Sequence, residues 1–159
     1  MNNKLDKFDL KLLEQIQQNN RLTADQLAEK VCLSASAVQR RLRRLRENKI
    51  IEREIGIVSP DAVGRSLMAI VEVTLGTVKP DIVQHFDKAV RAAPEVIQAY
   101  DVTGDADFIL IVSAKTMQDY EEFIHEFLSK KLKVKNFRTS IVMRRVKIGF
   151  ALPLDNAIG

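Results

Sequence analysis

The stretch Ser34-Ala35-Ser36-Ala37-Val38-Gln39-Arg40-Arg41-Leu42-Arg43-Arg44-Leu45-Arg46-Glu47 limits this chain most: five arginines stand against one acid. Val38, Leu42 and Leu45 recur at i, i+4 and i+7, one apolar stripe on a helical period. At about 100° per residue, Ser36, Arg40, Arg43 and Arg44 spread over the opposite side, with Arg41 on the flank. Ser34 stands where a helix wants its N-cap, a hydroxyl that accepts from the first turn's unpaired N–H groups. The spacing predicts a helix with one face to bury and one face suited to an anionic partner.

A charge run alone is as readily a solvated face as a binding surface. The preceding residues decide between them. Thr23-Ala24-Asp25-Gln26 has the form of a capping box, and Leu27, Ala28 and Val31 give the short helix behind it an apolar face. Cys32 and Leu33 leave only a tight turn before Ser34, and Cys32 is expected to be a small buried hydrophobe there. Two capped helices joined so tightly read as a helix-turn-helix, whose second helix enters the DNA major groove. A helix from Leu5-Asp6 to about Asn19, with Leu10, Leu13 and Ile16 in phase, supplies the floor. Asp6 and Asp9 suit the positive end of its dipole.

Charge is distributed accordingly. Residues 1–60 hold 12 Lys+Arg and 8 Asp+Glu, a balance of +4, whereas residues 61–159 hold 13 of each. The whole excess of the chain therefore sits in its N-terminal third, the footprint of a nucleic-acid-binding module joined to one with another task. No apolar run approaches the roughly 18 residues of a membrane span. The residues after Met1 lack the apolar core of a signal peptide. The lone cysteine, Cys32, fits a reducing compartment. These features predict a soluble, cytoplasmic protein.

Downstream the pattern changes. Glu52–Ser59 reads as an extended strand closed by Pro60. From there strands are predicted at 68–75, 96–103, 107–114 and 134–146, and amphipathic helices at 81–93 and 117–128. Ile82, Phe86, Ala89, Val90 and Ala93 point inward from the first of these helices. The order β-α-β-β-α-β is that of a ferredoxin-like sandwich. The fold class is thus α+β: an N-terminal winged helix-turn-helix domain (residues 1–51), a strand-like linker (52–65) and a ferredoxin-like domain (66–159). Strand side chains alternate, so Val71, Val73, Ile109, Ile111, Ile141 and Met143 cannot all face the two helices. The second sheet face needs a cover, and a second copy is the economical one.

With these pieces in place the chain resembles the leucine-responsive/asparagine (Lrp/AsnC, feast/famine) family of transcription regulators over essentially its whole length. The resemblance rests on Leu5-Asp6 with Asp9 and Leu13, Arg21-Leu22-Thr23 with Leu27-Ala28, and Leu33-Ser34 with Val38 and Arg41. It continues through Leu45 with Ile50-Ile51, Thr103-Gly104-Asp105-Ala106-Asp107, and Arg138-Thr139 with Val146-Lys147. It implies a helix-turn-helix reading an imperfect palindrome, a C-terminal domain that dimerises through its sheet, and further association, often to octamers. It also implies a small effector, commonly an amino acid, near the Gly-Asp-x-Asp turn where dimers meet. Lys49 stands where the family usually has Gly, so Asn48 is expected in the left-handed position. Ala106 replaces a common aromatic, which enlarges the pocket and favours a mid-sized or large effector side chain.

Candidate DNA-contacting residues are Ser34, Ser36, Ala37, Gln39, Arg40, Arg43 and Arg44. Arginine can fork onto guanine and glutamine onto adenine, though phosphate contacts outnumber base contacts. Ser34 is first a cap, and Arg41 is better read as a structural ion-pair residue. Chemistry alone makes Gly104–Asp107 a hairpin turn. With the resemblance, Thr103, Gly104, Asp105, Ala106 and Asp107, joined by Thr139 and Ser140, become the candidate effector site. No metal cluster, phosphate loop or enzyme constellation is present, and His85 and His125 are isolated. The expected partners are therefore double-stranded DNA, an amino acid effector and further copies of the chain, with neither cofactor nor membrane. The competing reading is a small-molecule sensor acting through protein contacts without DNA. RNA binding by the sheet is disfavoured for want of base-stacking aromatic pairs.

Overall fold

The structure, a computed structural model, describes residues 4–154; the outer ends of the two predicted domain ranges, 1–3 and 155–159, lie outside it. The described chain divides into two compact units. The chain to Gly56 together with the segment from Lys147 forms one, and Ile57–Val146 forms the other. The last segment thus clusters with the helices, whereas the sequence groups it with the sandwich.

In the helical unit α1 (Lys7–Gln18), α2 (Ala24–Val31) and α3 (Ala35–Glu47) start where the capping residues place them. Asp6 caps α1 by accepting from the N–H groups of Phe8 and Asp9, and the Asp9 side chain reaches back to the Asp6 N–H. Thr23 and Gln26 complete the same box on α2. The apolar stripes meet in one core of Leu12, Leu13, Leu27, Val31, Val38, Leu42 and Leu45.

The helix ends correct two expectations. Lys49 itself takes the left-handed conformation (φ 56°), and Asn48 remains at φ −83°. The Ile50 N–H reaches the Leu45 carbonyl (2.9 Å) and the Lys49 N–H that of Arg46 (3.0 Å), closing a Schellman motif. Only the residue after Asn48 can close these two bonds, so the strain falls on a lysine. Cys32 likewise ends α2 at φ 55° and is exposed, because a left-handed turn aims its side chain away from the core. The left-handed state costs an L-residue roughly 1–2 kcal/mol, partly offset by the extra unfolded-state entropy of glycine. Lys49→Gly is therefore expected to stabilise the helical unit by about 0.5–1 kcal/mol. Urea unfolding checks this, and a lower midpoint than wild type would contradict it.

No strand forms between α3 and β1 among the described residues; the linker holds only a short 3₁₀ turn at Asp61–Val63. The strand expected over Glu52–Ser59 is not realised in a single chain. A strand needs a hydrogen-bonding partner, and none is offered there.

The second unit runs β1 (Leu67–Thr74), α4 (Pro80–Ala92), β2 (Val96–Asp101), β3 (Phe108–Ala114), α5 (Met117–Ile124) and β4 (Asn136–Ile141). A π-helical stretch, His125–Lys131, prolongs α5. The sheet order is β2-β3-β1-β4, all pairs antiparallel, the ferredoxin-like arrangement. β4 ends at Ile141 instead of Val146, because β1 pairs with it only as far as Ala69.

Alternation sorts the side chains. Ala69, Val71, Val73, Phe108, Leu110 and Val112 are buried with Phe86, Tyr120, Ile124 and Leu128 from the helical layer. Ile82 stays exposed on α4, and Val83 packs against the core instead. The opposite face shows Ile70, Ile109, Ile111 and Tyr100, with Glu72 and Arg138 paired across β1 and β4. Val71 and Val73 face the helices and Ile109 and Ile111 face away. Ile141, opposite the buried Ala69, belongs to the helix side at the strand's end.

Candidate nucleic-acid interface and effector turn

Ser36, Gln39, Arg40 and Arg43 share one side of α3, since they are spaced by three and four residues. All four are exposed. Among the described residues neither Arg40 nor Arg43 makes an ion pair. Ser34 is occupied as a cap: its hydroxyl accepts from the Ala37 N–H (3.3 Å) and lies 3.2 Å from that of Ser36. Ala37 is half-buried one position from that turn.

The remaining arginines do structural work. Asp9 is 0 % exposed, and its carboxylate receives the Arg41 Nη1 at 2.8 Å and the Arg44 Nη2. Arg41 also bonds Asp6 at 2.7 Å. A buried carboxylate must be paired or lose its charge, so α1 draws two arginines from α3. Burial works against the Asp6 carboxylate, but the Asp9 and Phe8 N–H groups and Arg41 outweigh it and hold its pKa below the usual aspartate value. Arg46 forks onto Glu54 (3.0 and 2.9 Å) and lowers the pKa of that carboxyl. The structural reading of Arg41 stands beside these contacts, whereas Arg44, expected on the anionic-partner face, is held by Asp9. The pairing follows from Asp9 being buried, which sequence spacing does not reveal.

The Thr103–Asp107 turn joins β2 to β3. Gly104 lies at φ 131°, a conformation that favours glycine. Asp105 is exposed, as are Thr103 and Gly104, and Ala106 is half-buried. Asp107 is tied into the fold: its carboxylate accepts from the Leu75 N–H (2.7 Å) and its own N–H donates to the Val73 carbonyl (2.9 Å). One of the two expected carboxylates is thus largely committed to shaping the turn. Thr139 and Ser140 are not brought to it within one chain. They pair with Val71 and Ile70, well along β1 from Val73 and Leu75. They also face opposite ways. Thr139 is on the helix side, its hydroxyl 2.6 Å from that of Tyr120, and Ser140 is on the open face. Burial raises the Tyr120 pKa, against the opposing effect of the Thr139 bond.

Comparison with known proteins agrees with this two-part arrangement. A winged helix-turn-helix DNA-binding family model matches residues 5–52, and the Lrp/AsnC ligand binding domain matches residues 68–152. The chain belongs to the Lrp/AsnC family. An uncharacterised HTH-type transcriptional regulator of Sinorhizobium fredii is 51% identical to this Lrp/AsnC protein, over 95% of this chain and 89% of its own. The leucine-responsive regulatory protein of Escherichia coli K12 is 31% identical over 90% and 87% respectively. A crystal structure of a Neisseria meningitidis transcriptional regulator in complex with L-Met superposes with a TM-score of 0.90. It is 32% identical and spans 96% of this chain and 99% of that one.

This Lrp/AsnC protein is a DNA-binding transcription regulator with a ligand-binding domain, which is not an enzyme class. Among its described residues no group of three or more His, Cys, Asp or Glu is placed to hold a metal ion. No helix there is long and apolar enough to cross a membrane.

Proposed function

We propose that this chain is a cytoplasmic regulator whose DNA affinity is set by an amino acid bound at the Thr103–Asp107 turn. The observation that carries the DNA half is that Arg40 and Arg43, which make no ion pair among the described residues, stand beside Ser36 and Gln39 on one exposed side of α3. These four touch bases or phosphates, Ser34 and Ala37 form the helix start that approaches the backbone, and Arg44 serves Asp9. For the effector, Asp105 offers the free carboxylate to an ammonium group, and Gly104 lets the ligand come close to backbone N–H groups.

Thr139 and Ser140 lie away from the turn of their own chain, so they contribute only if another copy brings them there. In this reading the effector sits at a junction of copies, in a dimer formed through the open sheet face and assembled further, to an octamer. The effector then shifts DNA affinity by favouring one assembly, by no more than its differential affinity for the two states. The L-Met complex of the meningococcal relative and the room left by Ala106 both favour a mid-sized apolar amino acid, and L-methionine is the first probe.

The test is fluorescence anisotropy of a duplex from the gene's own upstream region, titrated with and without each amino acid. L-Methionine, or another amino acid of similar size, is expected to change the apparent Kd about 5- to 100-fold, the usual span of allosteric coupling. Asp105→Ala should remove that response and leave ligand-free DNA binding near wild type. A responsive ligand whose effect survives both Asp105→Ala and Gly104→Val would place the pocket elsewhere.

A further inference from the structure

An amino acid brings two opposite charges to its site, and the Thr103–Asp107 turn answers only one of them. Residues 101–107 hold Asp101, Asp105 and Asp107 and no cation. A carboxylate entering there meets like charges, and backbone N–H groups supply hydrogen bonds but no net charge against them. The sheet brings a cation to the same place. β3 and β4 flank β1, so Val73 has Phe108 on one side and Phe137 on the other. Just beyond that row, Asp107 bonds the Val73 carbonyl and the Leu75 N–H, and from the other flank the Lys135 N–H donates to the Thr74 carbonyl at 3.0 Å. Three consecutive residues of backbone are thus clamped between the acidic turn and Lys135. Neighbouring strands lie about 4.8 Å apart, which separates the two flanks by about 10 Å. Between them the chain continues through Gly76, which presents no side chain; a Cβ placed there would stand 3.9 Å from the Lys135 Cβ. Residues 76–80 are exposed, so the space over Gly76 is open.

Lys135 is exposed and makes no ion pair among the described residues. Nearby lysines are engaged elsewhere: Lys130 pairs with Glu126, and Lys131 lies over the Phe127 ring at 5.6 Å. Phe137 and Thr139, two and four residues on, face the helices. Alternation therefore carries Lys135 to that side, away from the open face that a second copy would cover. We propose that Lys135 binds the carboxylate of the effector, across Gly76 from Asp105, which binds its ammonium group. A four-carbon lysine stem and an aspartate together span the gap to the one carbon that bears both groups of an α-amino acid. The proposal rests on the effector site proposed above and adds its second charged residue. It also defines the ligand class as free α-amino acids, because an amide or ester loses the Lys135 contact and a residue inside a peptide loses both.

The experiment is isothermal titration calorimetry on the full chain with L-methionine, the other common amino acids as a panel, and L-methioninamide, which keeps the ammonium group and side chain but not the carboxylate. Lys135→Met, at an exposed site where the fold is expected to persist, should weaken L-methionine about tenfold or more, the loss of one charge-assisted contact. L-Methioninamide should bind the wild type about as weakly as L-methionine binds Lys135→Met, and the substitution should not weaken it further. Lys135→Arg should retain most of the affinity, and Lys79→Met should stay within about twofold of wild type, since only the charge beside Gly76 is engaged. Unchanged L-methionine affinity in Lys135→Met, or an amide weakened as much as the acid, would overturn the assignment. Binding lost in Asp105→Ala but intact in Lys135→Met would leave the effector site standing and remove Lys135 from it. A wild type that binds none of the amino acids would remove the effector site, and this proposal with it.

Discussion

Asp9→Ala is expected to destabilise the helical unit by about 2–3 kcal/mol, a large share of a small domain's stability. Asp9 is completely buried, yet it is the common partner of Arg41, Arg44 and the Asp6 N–H. Its removal takes away three charge-assisted contacts and part of the α1 cap. Arg41 is only 21% exposed in its side chain and loses the partner that offsets its desolvation, although it keeps Asp6. Arg44, at 47%, can rehydrate. Asp9→Asn, which keeps the shape and one acceptor, should cost less. Urea unfolding followed by circular dichroism measures both. An alanine variant within about 0.5 kcal/mol of wild type, the range of an ordinary surface substitution, would show that the pair of arginines contributes nothing net.

Ile111→Glu is expected to abolish the dimer proposed through the open sheet face. Ile111 lies near the centre of the open sheet face, beside Ile70 on β1 and Gln98 on β2. That face also carries Ile109 and Tyr100, the latter 51% exposed. An unpaired carboxylate taken into such an interface costs several kcal/mol even after relaxation, and two-fold symmetry introduces it twice. The dimer dissociation constant should rise at least about a thousandfold, the factor that roughly 4 kcal/mol represents. Met143→Glu, on a residue 94% exposed beyond the end of β4, should have little effect. Sedimentation velocity at micromolar concentration distinguishes these outcomes. A wild type that sediments as a monomer, or an Ile111→Glu variant that still dimerises, would contradict assembly through this face.

Much of this architecture is legible before any coordinates. Thr23 and Ser34, read as caps, each sit one residue before a helix, and hydroxyl caps act locally, so their meaning survives without tertiary context. Asp6, read only for its charge at the helix start, proves to be a cap as well. The order of strands and helices in the second unit follows from apolar period in the same way. What escapes the sequence is non-local. The charge run in α3 contains two kinds of arginine, and only the burial of Asp9, set by helix packing, separates Arg44 from Arg40 and Arg43.

Asp107 carries the same lesson. Gly-Asp-x-Asp looks like two equivalent carboxylates, but the Leu75 N–H claims one of them. Thr139 and Ser140 are adjacent in sequence and point to opposite faces, a consequence of the two-residue period of a strand. The hydrogen bonds between the Gln17 side chain and the Leu152 backbone span most of the chain and leave no trace in local pattern. The linker shows the converse. Glu52–Ser59 has strand composition, and composition without a partner makes no strand.

In the proposed function the exposed side of α3 binds duplex DNA through Arg40 and Arg43, and the salt dependence of binding tests this most directly. Anisotropy on the upstream duplex between about 50 and 200 mM salt should give log K falling linearly with log salt, with a slope of about −0.9 for each phosphate neutralised. Arg43→Ala should make that slope shallower by about one phosphate, and Arg40→Ala likewise, whereas Arg46→Ala, removed from its pair with Glu54, should leave it unchanged. An affinity insensitive to salt, or slopes that stay at the wild-type value in both Arg40→Ala and Arg43→Ala, would contradict the assignment of this face to DNA.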